Sequence, residues 1–262
     1  MSAALDHLVI NTRFDTDAAA ALFTALGFTL TPRGHHSLGS INHLMMFADG
    51  YLELIGLPLG TDRLRQEVLD SPQGIDGLVL ASADPKATHA ELVRQGFLVQ
   101  PVQHFSRPVE IDGANEEARF GTVRLVPGQF AAGRVYFCHH ETPELVWRPE
   151  WLGHANGATA VSGLTIVSEN PQQTCEQYAR LGVFDERFQL DVIDVATLDQ
   201  RFGDLAQGFT PRFERFAAIT LRGADLKDLA QRAARMGLAH RAESSRVTVA
   251  IATFDTLLEF IP

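Results

Sequence analysis

Along this chain a short apolar run leads into a capped helical stretch four times over, and each helix closes on glycine followed by an apolar residue. The first copy has its apolar run at 5–11, a helix opening near Asp15 and Asp17, and a close at Leu26-Gly27-Phe28. The second joins 78–81 to a helix opening at Asp84-Pro85 and closing at Gln95-Gly96-Phe97. The third joins 164–167 to Asn170-Pro171 and Leu181-Gly182-Val183, and the fourth joins 218–221 to Asp225 and Met236-Gly237-Leu238. Asp or Asn before the first turn accepts the orphan N–H bonds of a helix start, and proline fits the first helical position because its missing N–H would be unpaired there anyway. Glycine after the last turn takes the left-handed conformation that stops the helix. A unit recurring at this length is the pattern of a duplicated supersecondary module. Helices are expected near 15–26, 84–95, 171–181 and 225–236.

The segments after the helices identify the module. In a doubly wound α/β chain each helix is followed by one strand and then another helix. Residues 29–57 instead read as three short strands, 29–31, 41–47 and 51–56, with Ala48-Asp49-Gly50 as a tight turn between the last two. Asp-Gly between apolar runs is a strong hairpin signal, so the unit is β-α-β-β-β. The fourth copy ends alike, with strands at 246–253 and 256–261. The second ends with strands at 134–139 and 144–147, separated from its helix by a polar insertion at 101–129. A segment of that length reads as a lid, a binding loop or a disordered stretch. No strand pattern can be placed over 188–208 in the third copy. The expected fold class is α+β, with about four βαβββ modules forming cupped mixed sheets. Turn residues without periodicity across 148–159 divide it into a 1–150 domain of two modules carrying the cleft, and a degenerate second pair at 151–262.

Composition narrows the function classes. Hydrophobic content of 45% and charged content of 21% suit a soluble globular chain with a sizeable core. A net charge of −10 argues against a nucleic-acid face, which needs basic groups. No apolar stretch approaches the ~20 residues that span a bilayer, and the N-terminus carries no export signal. Two cysteines, Cys138 and Cys175, are too few for a disulfide framework, which makes a reducing cytoplasm the expected location. The expected partner is a small-molecule substrate or ligand, with no nucleic acid and no membrane, and a homodimer is an assembly this reading allows.

The stretch Arg33-Gly34-His35-His36-Ser37-Leu38-Gly39-Ser40-Ile41-Asn42-His43-Leu44, followed by Tyr51-Leu52-Glu53-Leu54-Ile55, resembles the glyoxalase-like domain family. That family lies in the vicinal oxygen chelate superfamily, the fold of glyoxalase I, bleomycin-resistance proteins and extradiol dioxygenases. The resemblance covers about residues 5–150, and the remainder only through the module pattern. It implies paired modules folded into a cupped sheet around a cleft, often with a divalent metal at its floor and ligands on the first and last strand of each module.

On those strands the first module offers His7 and Glu53. Alternation puts Leu5, His7 and Val9 on one face, Asp6, Leu8 and Ile10 on the other, and Glu53 on a face with Tyr51 and Ile55. Read alone, the two polar residues are a hydrogen-bonded strand histidine and a solvated edge carboxylate, and it is the resemblance that sets a ligand role level with this reading. Matching Asp76-Gly77-Leu78-Val79 to Asp6-His7-Leu8-Val9 puts Gly77 where a second imidazole would stand, while Glu144-Leu145-Val146 matches Glu53-Leu54-Ile55. The implied metal set is therefore His7, Glu53 and Glu144, holding Zn, Fe, Mn, Ni or Mg, with His139 or His140 able to add an imidazole. Glu53 and Glu144 are also the candidates for proton transfer. In the second pair only Glu259 keeps a last-strand carboxylate, and no metal is expected there.

Arg33, His35, His36, Asn42, His139 and Arg148 are the candidate substrate-binding residues, since imidazoles, guanidinium groups and an amide can hold an oxygenated or anionic ligand. The implied function is a metal-dependent lyase, isomerase or dioxygenase acting on a small organic substrate chelated through neighbouring oxygens. The alternative is a small-molecule binding protein of the bleomycin-resistance type, without turnover, which the loss of an imidazole at Gly77 favours.

Overall fold

The computed structural model describes residues 2–111 and 113–262. The first module comprises β1 (Ser2–Ala3), β2 (Leu5–Arg13), α1 (Thr16–Ala25), β3 (Gly34–His35), β4 (Ile41–Phe47) and β5 (Gly50–Gly56). A short helix, α2 (Gln66–Asp70), precedes the second module: β6 (Gly74–Ala81), α3 (Pro85–Arg94), β7 (Gln103–Ile111), β8 (Ala114–Arg124) and β9 (Arg134–His140). The third has β10 (Ala160–Ser168), α4 (Pro171–Ala179), β11 (Val183–Phe184), β12 (Gln189–Ile193) and α5 (Val195–Phe202). The fourth has β13 (Glu214–Arg222), α6 (Leu226–Arg235), β14 (His240–Ala242), β15 (Val247–Ile251) and β16 (Thr256–Phe260).

The four helices of the repeat form where the caps predict them. Asp84, Asn170 and Asp225 each accept backbone N–H bonds of the first turn, although Asp15 caps without a side-chain bond. The terminating glycines have positive φ, 92° at Gly27 and 68° at Gly237, as a left-handed stop requires. No helix among the described residues is long and apolar enough to cross a membrane.

The first two modules build one eight-stranded sheet in the order β3-β4-β5-β2-β6-β9-β8-β7. The first strands β2 and β6 lie antiparallel at its centre, and each has its module's last strand parallel beside it, β5 next to β2 and β9 next to β6. The other two modules build a six-stranded sheet, β12-β10-β13-β16-β15-β14. β1 leaves the first module to pair in parallel with β11 of the third.

Three expectations are corrected here. The polar insertion at 101–129 is mostly the hairpin β7–β8, which supplies the two middle strands of the second module. Its outer half is exposed and reads as loop, while nearer the sheet burial alternates through Arg107, Val109, Ala118 and Phe120. The strand expected at 144–147 is a 3₁₀ turn at Pro143–Leu145. Proline has no N–H to give a ladder and favours the start of such a turn, so the module's last strand is β9. After α4 the third module has the two-residue β11 and then β12, parallel to β10, followed by helix α5 in place of a hairpin.

The apolar faces explain the layering. Helices α1, α3, α4 and α6 contribute Phe23, Leu92, Tyr178 and Leu229 to one continuous core with Leu8, Ile10, Phe216 and Phe260 from both sheets. Phe130 of the first half meets Tyr178 of the second at 4.6 Å between ring centroids. The other face of the eight-stranded sheet is a cup lined by Val9, Met46, Tyr51, Val79, Phe120 and Tyr136. The corresponding face of the six-stranded sheet is filled by Leu198 and Phe202 of α5, packed on Val167, Ala218 and Leu257. Glu259 there is buried and taken by Arg201 at 2.5 Å and Arg246 at 3.0 Å. The second cup is closed by its own helix, whereas the first encloses a cavity with polar lining.

Candidate functional site

The site begins with a bulge. Between the pairs Leu5↔Leu80 and His7↔Val79 strand β2 holds one extra residue, Asp6. A bulge bends the strand and re-aims its side chains, so Asp6 joins His7 on the cup side instead of facing away as simple alternation predicts. Asp6 Oδ1 accepts a hydrogen bond from His7 Nδ1 at 2.5 Å, and its Oδ2 lies 3.1 Å from His140 Nε2. The second module repeats the device. Between Val9↔Gly77 and Ile10↔Ile75 the extra residue is Asp76, whose carboxylate accepts from Arg134 Nε at 2.7 Å.

With Nδ1–H given to Asp6, Nε2 of His7 looks into the cup. It lies 3.6 Å from Glu53 Oε2 and 3.4 Å from the Tyr136 hydroxyl, while Tyr51 stacks on the ring at 4.3 Å. Glu53 Oε1 accepts from Asn42 Nδ2 at 2.7 Å, which leaves Oε2 free to face the cavity. His36 completes this rim, with Nδ1 2.8 Å from Ser40 Oγ and Nε2 3.3 Å from Asn42 Nδ2. Gly34 makes the room: a Cβ there would stand 2.2 Å from Asn42 Oδ1 and 3.2 Å from Arg107 Nη1.

Three guanidinium groups line the same cavity, from Arg65, Arg107 and Arg124, against apolar walls of Leu44, Phe105 and Phe120. The space left is about 30 Å³, roughly one water. Arg65 and Arg124 are answered by Glu67. Arg107 is only 3% exposed, enters no ion pair among the described residues, and keeps a buried Nη2 without a hydrogen-bond partner. A buried charge without a partner is costly, and this one shares its cavity with Glu53 and His7.

The ionisation states follow from the surroundings. Burial opposes charge on Asp6, but the charges and hydrogen bonds of His140 and His7 outweigh it and hold the carboxyl at about 2. Glu53 is likewise resisted by burial yet held below its ordinary value by His7, the Asn42 amide and Arg65. Burial pushes His36 down to about 4, with the three arginines adding to the shift against the pull of Glu53, so the ring is neutral at pH 7. Burial raises the Tyr136 phenol above its usual range, reinforced by Glu53, and keeps it a proton donor.

Of the residues expected from sequence, His7, Glu53, Asn42 and His36 converge in this cavity. The others stand elsewhere. Glu144 is exposed on its 3₁₀ turn and does not line the cavity, so it is not a third ligand and not a proton-transfer group there. Strand registers show why: Val9 pairs with Glu53 and Val79 with Tyr136, making Tyr136 the counterpart of Glu53. Arg33 pairs with Asp17, His35 is exposed on β3, and Arg148 pairs with Glu150 over the Trp151 ring. His139 turns away from Cys138 and His140 to bond the Ser82 carbonyl at 2.9 Å.

These positions test the metal expectation. The four places that carry ligands in the superfamily pattern hold His7, Glu53, Gly77 and Tyr136, which is one imidazole and one carboxylate beside a neutral phenol and no side chain. Gly77 cannot regain a ligand in place, since a Cβ there would stand 2.7 Å from Val9 Cγ2. Three guanidinium groups share the cavity and repel a cation. The donor set does not fit a resident ion at that position. Among the described residues one other group has ligand atoms close enough for a metal: Asp6, Cys138 and His140. That set is compatible with a borderline-soft divalent ion once the thiol ionises, although burial pushes the Cys138 thiol well up.

Asp6, Arg65, Arg107, Arg124 and Tyr136 escaped sequence reasoning. A period-two reading of 105–124 would have found two of them, because Arg107 alternates with exposed Pro108 and Arg124 continues the buried face of Ala118, Phe120 and Thr122.

A family model described as a glyoxalase-like domain matches residues 5–182. No curated protein matches the sequence significantly. Among solved structures, a hypothetical protein from Staphylococcus aureus aligns at TM-score 0.68 and 12% identity, covering 98% of each chain. A triple mutant of 4-hydroxymandelate synthase from Streptomyces coelicolor aligns at TM-score 0.60 and 11% identity, covering 99% of this chain and 92% of that one. A xylose isomerase-like TIM barrel/4-hydroxyphenylpyruvate dioxygenase fusion protein aligns at 0.55 and 10%, covering 99% of this chain and 49% of that one. At such identities the likeness concerns the fold.

Proposed function

The chain belongs to the glyoxalase-like domain family of the vicinal oxygen chelate superfamily, and we propose that its first cup is the active site of an enzyme that moves a proton on a small, oxygen-rich carboxylate. The observation that carries this reading is Arg107, a buried guanidinium with no ion-pair partner among the described residues, in the same cavity as Glu53 and His7. Arg107, with Arg65 or Arg124, would take the carboxylate in the planar geometry that guanidinium groups favour. Glu53 Oε2 is the base: its other oxygen is held by Asn42, and it is ionised at neutral pH. It would remove a proton from the carbon next to a substrate carbonyl, and the electron pair would move onto the carbonyl oxygen. The Tyr136 hydroxyl and a guanidinium would donate hydrogen bonds to that oxygen where charge develops. Asp6 fixes the His7 ring so that Nε2 faces the reacting groups and can pass the proton on.

The test is hydrogen exchange on pyruvate in D₂O, followed by proton NMR. The protein should speed loss of the methyl signal, and Glu53→Gln should lower that rate by about 10²–10⁴-fold, the usual range for a general base. Binding of pyruvate without exchange would move the protein to the binding-only alternative, and no binding would remove the reading. A second reading, a metal-dependent enzyme, rests on Asp6, Cys138 and His140. Elemental analysis of purified protein decides it: one equivalent of metal per chain, lost in Cys138→Ser, would favour that reading.

A further inference from the structure

An inner cavity of about 30 Å³ cannot admit even a three-carbon acid without opening. Beside it lies a second chamber of about 550 Å³, within the ~300–1,000 Å³ of ordinary ligand sites. Arg124 and Tyr136 line both spaces, Arg65 lines only the inner one, and Glu67 lines only the outer. The partition between them is an ion cluster closed by a single carboxylate.

Glu67 sits in the first turn of α2 and faces three guanidinium groups. Its Oε2 accepts from Arg65 Nη2 at 2.9 Å and from Arg124 Nη1, and its Oε1 lies 3.6 Å from Arg134 Nη1. Arg134 has Asp76 as its main partner. Arg65 and Arg124 have no second carboxylate among the described residues, and each side chain is only 8% exposed. Glu67 is 34% exposed, on a helix of five residues in the connection between the modules. The guanidinium groups are therefore fixed in the partition, and the carboxylate is the member able to leave. Arg124 also lies over the Tyr136 ring, 5.3 Å from its centroid, so releasing Arg124 frees the wall nearest the reacting groups.

We propose that Glu67 occupies the place of the substrate's own carboxylate, and that substrate comes in through the outer chamber and opens the partition by taking Arg65 and Arg124 from Glu67. The proposal rests on the carboxylate reading of the inner site. It deepens that reading by setting a requirement on the substrate: an anionic head able to compete for two guanidinium groups, which a neutral amide of the same shape lacks. Any body of the molecule beyond the carboxylate and the reacting carbon would remain in the outer chamber, against Leu125, Phe130 and Val135.

The experiment is calorimetry with pyruvate and pyruvamide, plus stopped-flow binding of pyruvate, on wild type, Glu67→Gln and Val126→Trp. Glu67→Gln should bind pyruvate about tenfold more tightly, because the internal competitor has lost its charge, and should leave pyruvamide unaffected. Pyruvate binding by wild type with equal or weaker binding by Glu67→Gln overturns the gate and leaves the carboxylate reading standing. Binding of pyruvate by neither protein overturns both. Val126 is exposed and lines the outer chamber, so a tryptophan there narrows the route without touching the ion cluster. Association and dissociation should slow together in that variant, with little change in Kd, and unaltered rates would overturn the route even if Glu67→Gln failed to fold.

Discussion

Arg107→Met should make the protein more stable and nearly abolish anion binding, and the two effects share one cause. The guanidinium is 3% exposed and lacks an ion-pair partner among the described residues, and burial lowers its pKa against the pull of Tyr51 and Glu53. Methionine is unbranched and of similar length, and fills irregular space without a charge to desolvate. Removing an uncompensated buried charge should return about 1–3 kcal/mol. For a chain of this size that is a rise in Tm of roughly 2–6 °C. The same substitution deletes a charge-assisted contact to the ligand worth about 1.5–3 kcal/mol, which is about 10- to 150-fold in Kd. Thermal denaturation and pyruvate titration of the same preparation read both quantities. A lower Tm would mean that Arg107 has a structural partner, and an unchanged Kd would mean that the anion binds elsewhere.

Two further outcomes follow from groups in the same cup. His36 is held at about 4 in the fold against 6.5 free, so between these values the unfolded chain binds a proton that the folded chain refuses. Stability should be fully present above pH 6.5 and fall as pH drops toward 4, by about 3 kcal/mol, and urea unfolding at pH 7.0 and 4.5 should show a smaller drop in His36→Gln than in wild type. Gly77→His should not create a metal site, since its Cβ would meet Val9 at 2.7 Å. It should instead cost about 1–3 kcal/mol of stability by overpacking, and tight zinc binding by a variant of unchanged Tm would contradict this.

The module pattern was legible because it lies in local signals. Asp84-Pro85 and Asn170-Pro171 announce helix starts, Gly27 and Gly237 announce helix ends, and Asp49-Gly50 marks the turn between β4 and β5. His7, Glu53, Asn42 and His36 were legible as members of one site for a similar reason, because module one keeps its strands close in sequence. What failed was register. Asp6 reaches the cup only through a bulge that strict alternation cannot anticipate, and Tyr136 was hidden because Glu144-Leu145-Val146 mimics Glu53-Leu54-Ile55 one element too late. The arginines were missed because a hairpin with an exposed outer half has the composition of a loop. Their pairing with Glu67 is a tertiary fact, joining α2 to strands whose neighbours are set by the whole sheet.

The shared core sets an order of events for the growing chain. Every residue lining the inner cavity is made by position 138, yet the core behind its sheet is completed only when Phe216, Leu258 and Phe260 arrive from the last module. β1, the first strand made, has no partner until Val183 and Phe184 emerge. A nascent chain paused near residue 150 would carry a nearly complete first cup on a body whose other side, between and around α1 and α3, leaves apolar surface uncovered, a species suited to chaperones and prone to self-association. The second half, with its own cup filled by α5, contributes no residue to the lining of the inner cavity, and the time it takes to be synthesised is the interval during which the first half is exposed.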